Sequence, residues 1–178
     1  MRVIAGTRKG HRLTSPKGAH IRPTGDRVRE AIFNLVGPVD DASVLDLFAG
    51  SGALGIEALS RGARRCVFAE SDRGAVRVIR ENLDRTRLTG AVVEQRDAIA
   101  LLLEELSRGR SHELILCDPP YGRWPELESA LAELLPAVLA PDGLLVVETD
   151  QRVEPQLPLD PVTSRRYGSA RVTIFRHA

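Results

Sequence analysis

The chain has 178 residues, 43% of them hydrophobic, and a net charge of +1. That is enough for one well-buried domain with a small extension and too little for two full ones; no apolar run approaches a membrane span, and MRVIAGTRKG lacks the apolar core of a secretion signal. Cys66 and Cys117, the only cysteines, each sit in an apolar stretch, which predicts buried free thiols in a cytoplasmic protein and neither a disulfide nor a metal site.

In chain order, RVIAGTRKGHRL predicts two short strands joined by a basic turn between Gly6 and Gly10, followed by the loop SPKGAHIRP. Thr24 precedes a helix with Val28, Ile32, Leu35 and Val36 at helical spacing and Asp26 in its first turn, where the helix dipole favours an acid. From Ser43 the rhythm changes. SVLDLF is a short strand, SGALGIEALSRG opens on glycines and runs as a helix to Gly62, and RRCVFAE is a second strand. Asp72 starts a helix carrying Val76, Ile79 and Leu83 on one face. AVVEQRD and HELILCD are further strands, separated by the helix AIALLLEELSRG. A helix beginning at Pro125, the favoured first-turn position for proline, leads through a turn at Pro141–Gly143 into a fifth strand. After the connector VEPQLPLDP, a hairpin turns at Gly168–Ser169 with Val172 and Ile174 on one face. Strands that alternate with helices and are apolar throughout imply a parallel sheet covered on both faces. The expected division is a basic N-terminal extension, residues 1–24, and an α/β domain, residues 25–178.

LDLFAGSGALG carries Gly50, Gly52 and Gly55 between a strand and a helix, the fingerprint of a nucleotide-containing cofactor at the strand's carboxyl end. Asp46, four residues before Gly50, discriminates among cofactors. A buried acid there repels a pyrophosphate and attracts the ammonium and sulfonium of S-adenosylmethionine. It could also cap the loop's own amides. Glu70 ends the second strand, placed for ribose hydroxyls, and Asp97 ends the third, placed either for an adenine amino group or as a helix cap.

CDPPYG ends the fourth strand, beside the first in the expected sheet order. An exocyclic amine on a nucleobase has its lone pair delocalised into the ring. Two acceptors gripping its hydrogens, the Asp118 carboxylate and the Pro119 carbonyl, would draw the nitrogen toward tetrahedral geometry. Pro119 and Pro120 remove competing N–H donors and fix φ, so the acceptors need no reorganisation. Tyr121 offers a face for stacking a flipped base.

DLFAGSGALG together with DPPY resembles the class I S-adenosylmethionine-dependent amino-methyltransferases, and RPTGDRVREAIFNLV with RVIAGTRKGHRL and RRYGSARVTIFR is similar to the RsmD type nearly end to end. The resemblance implies a Rossmann-like seven-stranded sheet, mostly parallel with an antiparallel last strand. It implies methylation of a guanine N2 amino group in 16S ribosomal RNA by a monomer, on naked RNA or an assembling small subunit. Its cofactor positions are Asp46, Gly50, Gly52, Glu70 and Asp97, with Phe48, Ser71 and Ala98 beside them; Asp118, Pro119, Pro120 and Tyr121 match the catalytic motif, where many members carry Phe in place of Tyr121.

Residues 1–24 hold six basic side chains and no acid, and residues 165–178 hold four arginines and no acid. Arg8, Lys9 and Arg12 are the expected phosphate contacts, with Arg22 and Arg27 expected near the mouth of the active site. Three alternatives compete. A nicotinamide oxidoreductase lacks a proton relay near the cleft, a silent RNA-binding assembly factor would have no use for an intact Asp118–Tyr121 motif, and an adenine-N6 methyltransferase of DNA would be expected to carry a target-recognition insertion. Guanine also presents two neighbouring donors to a carboxylate, whereas adenine presents an acceptor beside its amine.

Overall fold

A computed structural model of the chain describes residues 1–16 and 25–177. The helices are α1 (Asp26–Val36), α2 (Ala53–Ser60), α3 (Arg73–Thr86), α4 (Ala98–Ser107) and α5 (Trp124–Val138). The strands are β1 (Ser43–Leu47), β2 (Arg65–Glu70), β3 (Ala91–Gln95), β4 (His112–Cys117), β5 (Leu139–Asp150), β6 (Asp160–Tyr167) and β7 (Ala170–Arg176). They form one sheet in the order β3-β2-β1-β4-β5-β7-β6. β1 to β5 are parallel; β7 is antiparallel to both β5 and β6.

Two apolar layers cover the sheet. Ile32, Phe33, Ile56, Leu59 and Ile79 pack on one face, and Leu101, Leu102, Leu131, Leu135 and Val138 on the other. Both layers are continuous because β1 and β4 are buried along nearly their whole length, which is why they lack polar alternation. β7 sends Val172 and Ile174 into the first layer and Phe175 into the second.

Two local expectations are corrected. The N-terminal segment does not form two strands. It closes through a single antiparallel bridge, Arg2 to Arg12, and a 3-10 turn at Gly6–Arg8. The two arms pair on either side of that bridge, Val3 N–H donating to the His11 carbonyl at 2.9 Å and Leu13 N–H to the Met1 carbonyl at 3.0 Å, and the N–H groups of Ile4 and Ala5 donate to the buried Glu57 carboxylate on α2 at 2.8 and 2.9 Å. Val3 and Leu13 lie in the core itself, so the segment packs as part of the domain. The Pro141–Gly143 turn, in turn, lies inside β5. His112 pairs with Leu139 and Leu114 with Leu144, so the extra residues bulge out, leaving Pro141 and Asp142 exposed.

Candidate active site

β1 and β4 are adjacent, with Asp46 opposite Leu116 and Leu47 opposite Cys117. The residues that follow, Phe48 and Asp118, therefore leave the sheet side by side at its carboxyl edge. The glycine loop and the proline-flanked aspartate, 70 residues apart in the chain, meet there because a crossover topology places β4 next to β1.

From β1 the chain turns sharply through Phe48, Gly50 and Gly52, whose φ angles are 57°, 55° and 75°. Glycine takes this left-handed backbone freely. Phe48 does not, and its strain marks a position that the surroundings overdetermine. Gly55 serves packing: a Cβ there would meet Phe68 Cε1 at 2.4 Å and Cys66 Sγ at 2.6 Å, so only glycine lets α2 rest on β2.

Asp46, 1% exposed, accepts the Gly55 N–H through Oδ2 at 2.9 Å. Burial pushes its carboxyl up to about 8; the Gly55 bond opposes this and the charge of Glu70 adds to it. Glu70 accepts from Gly50 N–H and Asp72 N–H, each at 2.8 Å. Exposed Ser71 lies between, and Asp72 caps α3 through Ala75 N–H at 2.7 Å. Asp97 caps α4, accepting from Ile99 and Ala100 through Oδ1 alone, and Ala98 is buried in that helix's first turn.

These bonds test which cofactor the loop can hold. A helix N-terminus after a glycine loop binds phosphate through unengaged N–H groups. Here the N–H groups of Gly50 and Gly55 are already given to the protein's own carboxyl groups, so a pyrophosphate would find neither N–H available and would meet the acid of Glu70 at close range. A cationic group fits: beside Asp46 it would favour the ionised carboxylate that burial disfavours.

On the β4 side, Asp118 is half-buried, Pro119 buried and Pro120 exposed. The Tyr121 hydroxyl donates to Glu148 Oε1 on β5 at 3.2 Å, leaving the ring 39% exposed. A cleft of about 280 Å³ opens here, bounded by Pro119, Tyr121, Trp124, Thr149 and Arg152. Trp124 both packs and lines this cleft; its indole N–H donates to Glu128 at 2.7 Å. Glu148 and Arg152 escaped sequence reasoning. The available signal was a carboxylate and an arginine where an otherwise apolar strand ends, LLVVETDQR.

Among the described residues, Arg8 and Lys9 lie away from this cleft. Arg8 is half-buried, with its Nε donating to the Thr86 carbonyl and its main-chain N–H to Ser60 Oγ. Ser60 and Thr86 end α2 and α3, helices that begin at the glycine-loop edge. Arg8 and its exposed neighbour Lys9 thus lie at the opposite end of the sheet from Asp118. Arg12 is exposed on the returning segment and Arg27 on the first turn of α1; Arg22 lies outside the described residues.

A 3-2-1-4-5-7-6 sheet with an antiparallel seventh strand, a glycine loop after β1 and an acid at the end of β2 defines the class I methyltransferase fold. A solved structure of a hypothetical protein from Thermus thermophilus shares it at a TM-score of 0.85 and 33% identity, covering 99% of both chains. The chain belongs to the family described as Conserved hypothetical protein 95, whose model matches residues 1–176. It is similar to the ribosomal RNA small subunit methyltransferase D of Escherichia coli K12, 38% identical over 90% of this chain and 79% of that protein. The protein of the same name from Haemophilus influenzae is 34% identical over 85% and 79% of the two chains.

Proposed function

We propose that the chain transfers a methyl group from S-adenosylmethionine to the exocyclic N2 amino group of a guanine in small-subunit ribosomal RNA. The observation that carries this reading is the juxtaposition of Phe48 and Asp118 at neighbouring strand ends, which brings an acid-lined, phosphate-averse loop against two fixed acceptors. The names of the relatives support RNA as the substrate.

When bound, S-adenosylmethionine supplies a methyl carbon activated by a sulfonium. Asp46 is assigned to its positive end, Glu70 to the ribose hydroxyls and Asp97 to the adenine amine. Phe48, Gly50, Gly52, Ser71 and Ala98 form the walls of the same site. Glu70 already fixes Gly50 and Asp72, so it stands oriented before any ligand arrives. The Asp118 carboxylate and the Pro119 carbonyl accept the two amine hydrogens and hold the nitrogen lone pair toward the methyl group. Asp118 is the first acceptor for the proton that nitrogen then loses. Tyr121 stacks the base at the cleft. Holding the reactants in line can supply up to roughly 7–11 kcal/mol, so no strong general base is needed.

Arg8, Lys9 and Arg12 are assigned to RNA phosphates, and Arg22 and Arg27 to the mouth of the active site, on an assembling small subunit bound by a monomer in the cytoplasm. The test is incubation with labelled S-adenosylmethionine and undermethylated small subunits or naked RNA, followed by nucleoside analysis. N2-methylguanosine is the expected product. N6-methyladenosine would reject the guanine assignment, and no label in any RNA would reject the reading altogether.

A further inference from the structure

We propose that the end of the C-terminal hairpin forms a phosphate grip for the RNA strand entering the cleft, built from Arg152, Arg165 and Arg166. The inference rests on the reading of the chain as an RNA methyltransferase and adds the surface that would hold the substrate beside its reacting base.

Three observations support it. The first is position. Arg152 lines the cleft beside Tyr121. Arg166 pairs with Arg171, which pairs with Thr149 of the cleft wall, and Arg165 pairs with Val172, which pairs with Glu148, the acceptor of the Tyr121 hydroxyl. Two strand spacings, about 10 Å, separate each hairpin arginine from the β5 residue in its row, within reach of a bound strand's backbone. Successive strand residues point to opposite faces, so Arg165 and Arg166 straddle the sheet edge.

The second is availability. Arg152, Arg165 and Arg166 are exposed, and none of their side chains makes a hydrogen bond or ion pair among the described residues. Arg61, Arg96, Arg108 and Arg110 are instead paired with glutamates of their own chain. Arg8, at the far end of the sheet, is held by the Thr86 carbonyl.

The third is rigidity. Arg171, only 8% exposed, donates from Nε to the Gln151 carbonyl at 3.3 Å and from Nη1 to Ser164 Oγ at 2.9 Å. Gln151 N–H donates to the Ser169 carbonyl at 2.8 Å. The hairpin end is thereby pinned to the end of β5, and its arginines are presented with little ordering left to do on binding. β6 is also the sheet's edge strand, with nothing beyond it to screen them among the described residues.

The test is direct binding of small-subunit ribosomal RNA, measured between 50 and 200 mM salt, for the wild type and the triple variant Arg152→Ala, Arg165→Ala, Arg166→Ala. Each lost phosphate contact lowers the salt slope by about 0.7 for single-stranded RNA, so three contacts compress the change in Kd over that range by roughly 20-fold. Affinity for S-adenosylmethionine should stay at the wild-type value, which also reports that the variant is folded. A second triple variant, Arg77→Ala, Arg80→Ala, Arg108→Ala, removes equal charge from α3 and α4 and should leave the slope unchanged. A hairpin variant with the wild-type slope, or a control variant compressed as much, overturns the proposal. Binding is read without methyl transfer: wild type that binds RNA through these arginines but modifies none refutes the methyltransferase reading and leaves the grip standing.

Discussion

Asp46→Asn should make the cofactor-free protein more stable while disabling its cofactor site. The carboxyl lies 1% exposed and is pushed by burial to about 8, from an ordinary value of 3.8 in the unfolded chain. The folded state therefore keeps a proton that the unfolded state releases. The stability this proton contributes is fully present below pH 4 and is lost as pH rises toward 8. Between pH 5 and pH 8 the loss integrates to on the order of 3 kcal/mol, at about 1.4 kcal/mol per pKa unit. Asparagine carries no such linkage, and its side-chain oxygen can still accept the Gly55 N–H. Urea unfolding of both proteins at pH 5, 6.5 and 8, without cofactor, should show the variant's advantage over wild type growing across that range. Calorimetry should show S-adenosylmethionine bound at least about tenfold more weakly, since one desolvated charge contact is worth about 1.4 kcal/mol or more. A stability difference independent of pH would refute the claim that burial holds Asp46 protonated. Unchanged cofactor affinity would refute its role toward a cation.

Asp118→Asn replaces one acceptor with a neutral amide and should lower kcat for methyl transfer by about 100- to 1,000-fold, the range for loss of one preorganised electrostatic contact, with cofactor affinity by calorimetry unchanged. Gly55→Ala drives a methyl group to 2.4 Å from Phe68, and chemical denaturation should show a loss of about 1–3 kcal/mol from overpacking. His112 is buried between Glu105 and Ser43, each at 3.0 Å; burial lowers its pKa although the Glu105 bond opposes that. Its contribution is present above the unfolded value of 6.5 and lost as pH falls below it, so His112→Gln should flatten the acid limb of the unfolding curve relative to wild type.

Where one physical signal dominates, sequence and structure agree. The apolar runs at 43–47, 65–70 and 112–117 could only be buried strands, and each helix between them opens at a capping acid or a glycine turn. The Gly50–Gly55 loop and Asp118 were legible because crossover topology fixes which strand ends meet. The N-terminal segment pairs its two arms over only a few residues, and a local pattern of Gly and basic residues says nothing of Glu57, the distant buried carboxylate that takes the N–H groups of Ile4 and Ala5. Composition counts charges but does not tell which are already paired, and Arg8 holds its own backbone while Arg165 and Arg166 hold nothing among the described residues. Glu148 was hidden by its strand, since a carboxylate inside LLVVET looks like one solvated position on a half-exposed strand.

Asp46 and Asp118 come from adjacent strands, yet they stand in opposite environments, and the difference is depth. Asp46 lies within β1, sealed by α2 as Gly55 lets the helix close down on the sheet, so its charge is costly until something positive arrives. Asp118 lies one residue past the end of β4, half-buried beside Pro119, which lines the open cleft. In the proposed reaction, two carboxylates separated by environment in this way would divide the work, one recognising a charged ligand and one engaging the reacting amine. Swapping their depths would fail on both counts: a sealed Asp118 could not meet a base, and a solvated Asp46 would have its attraction for a cation weakened by water.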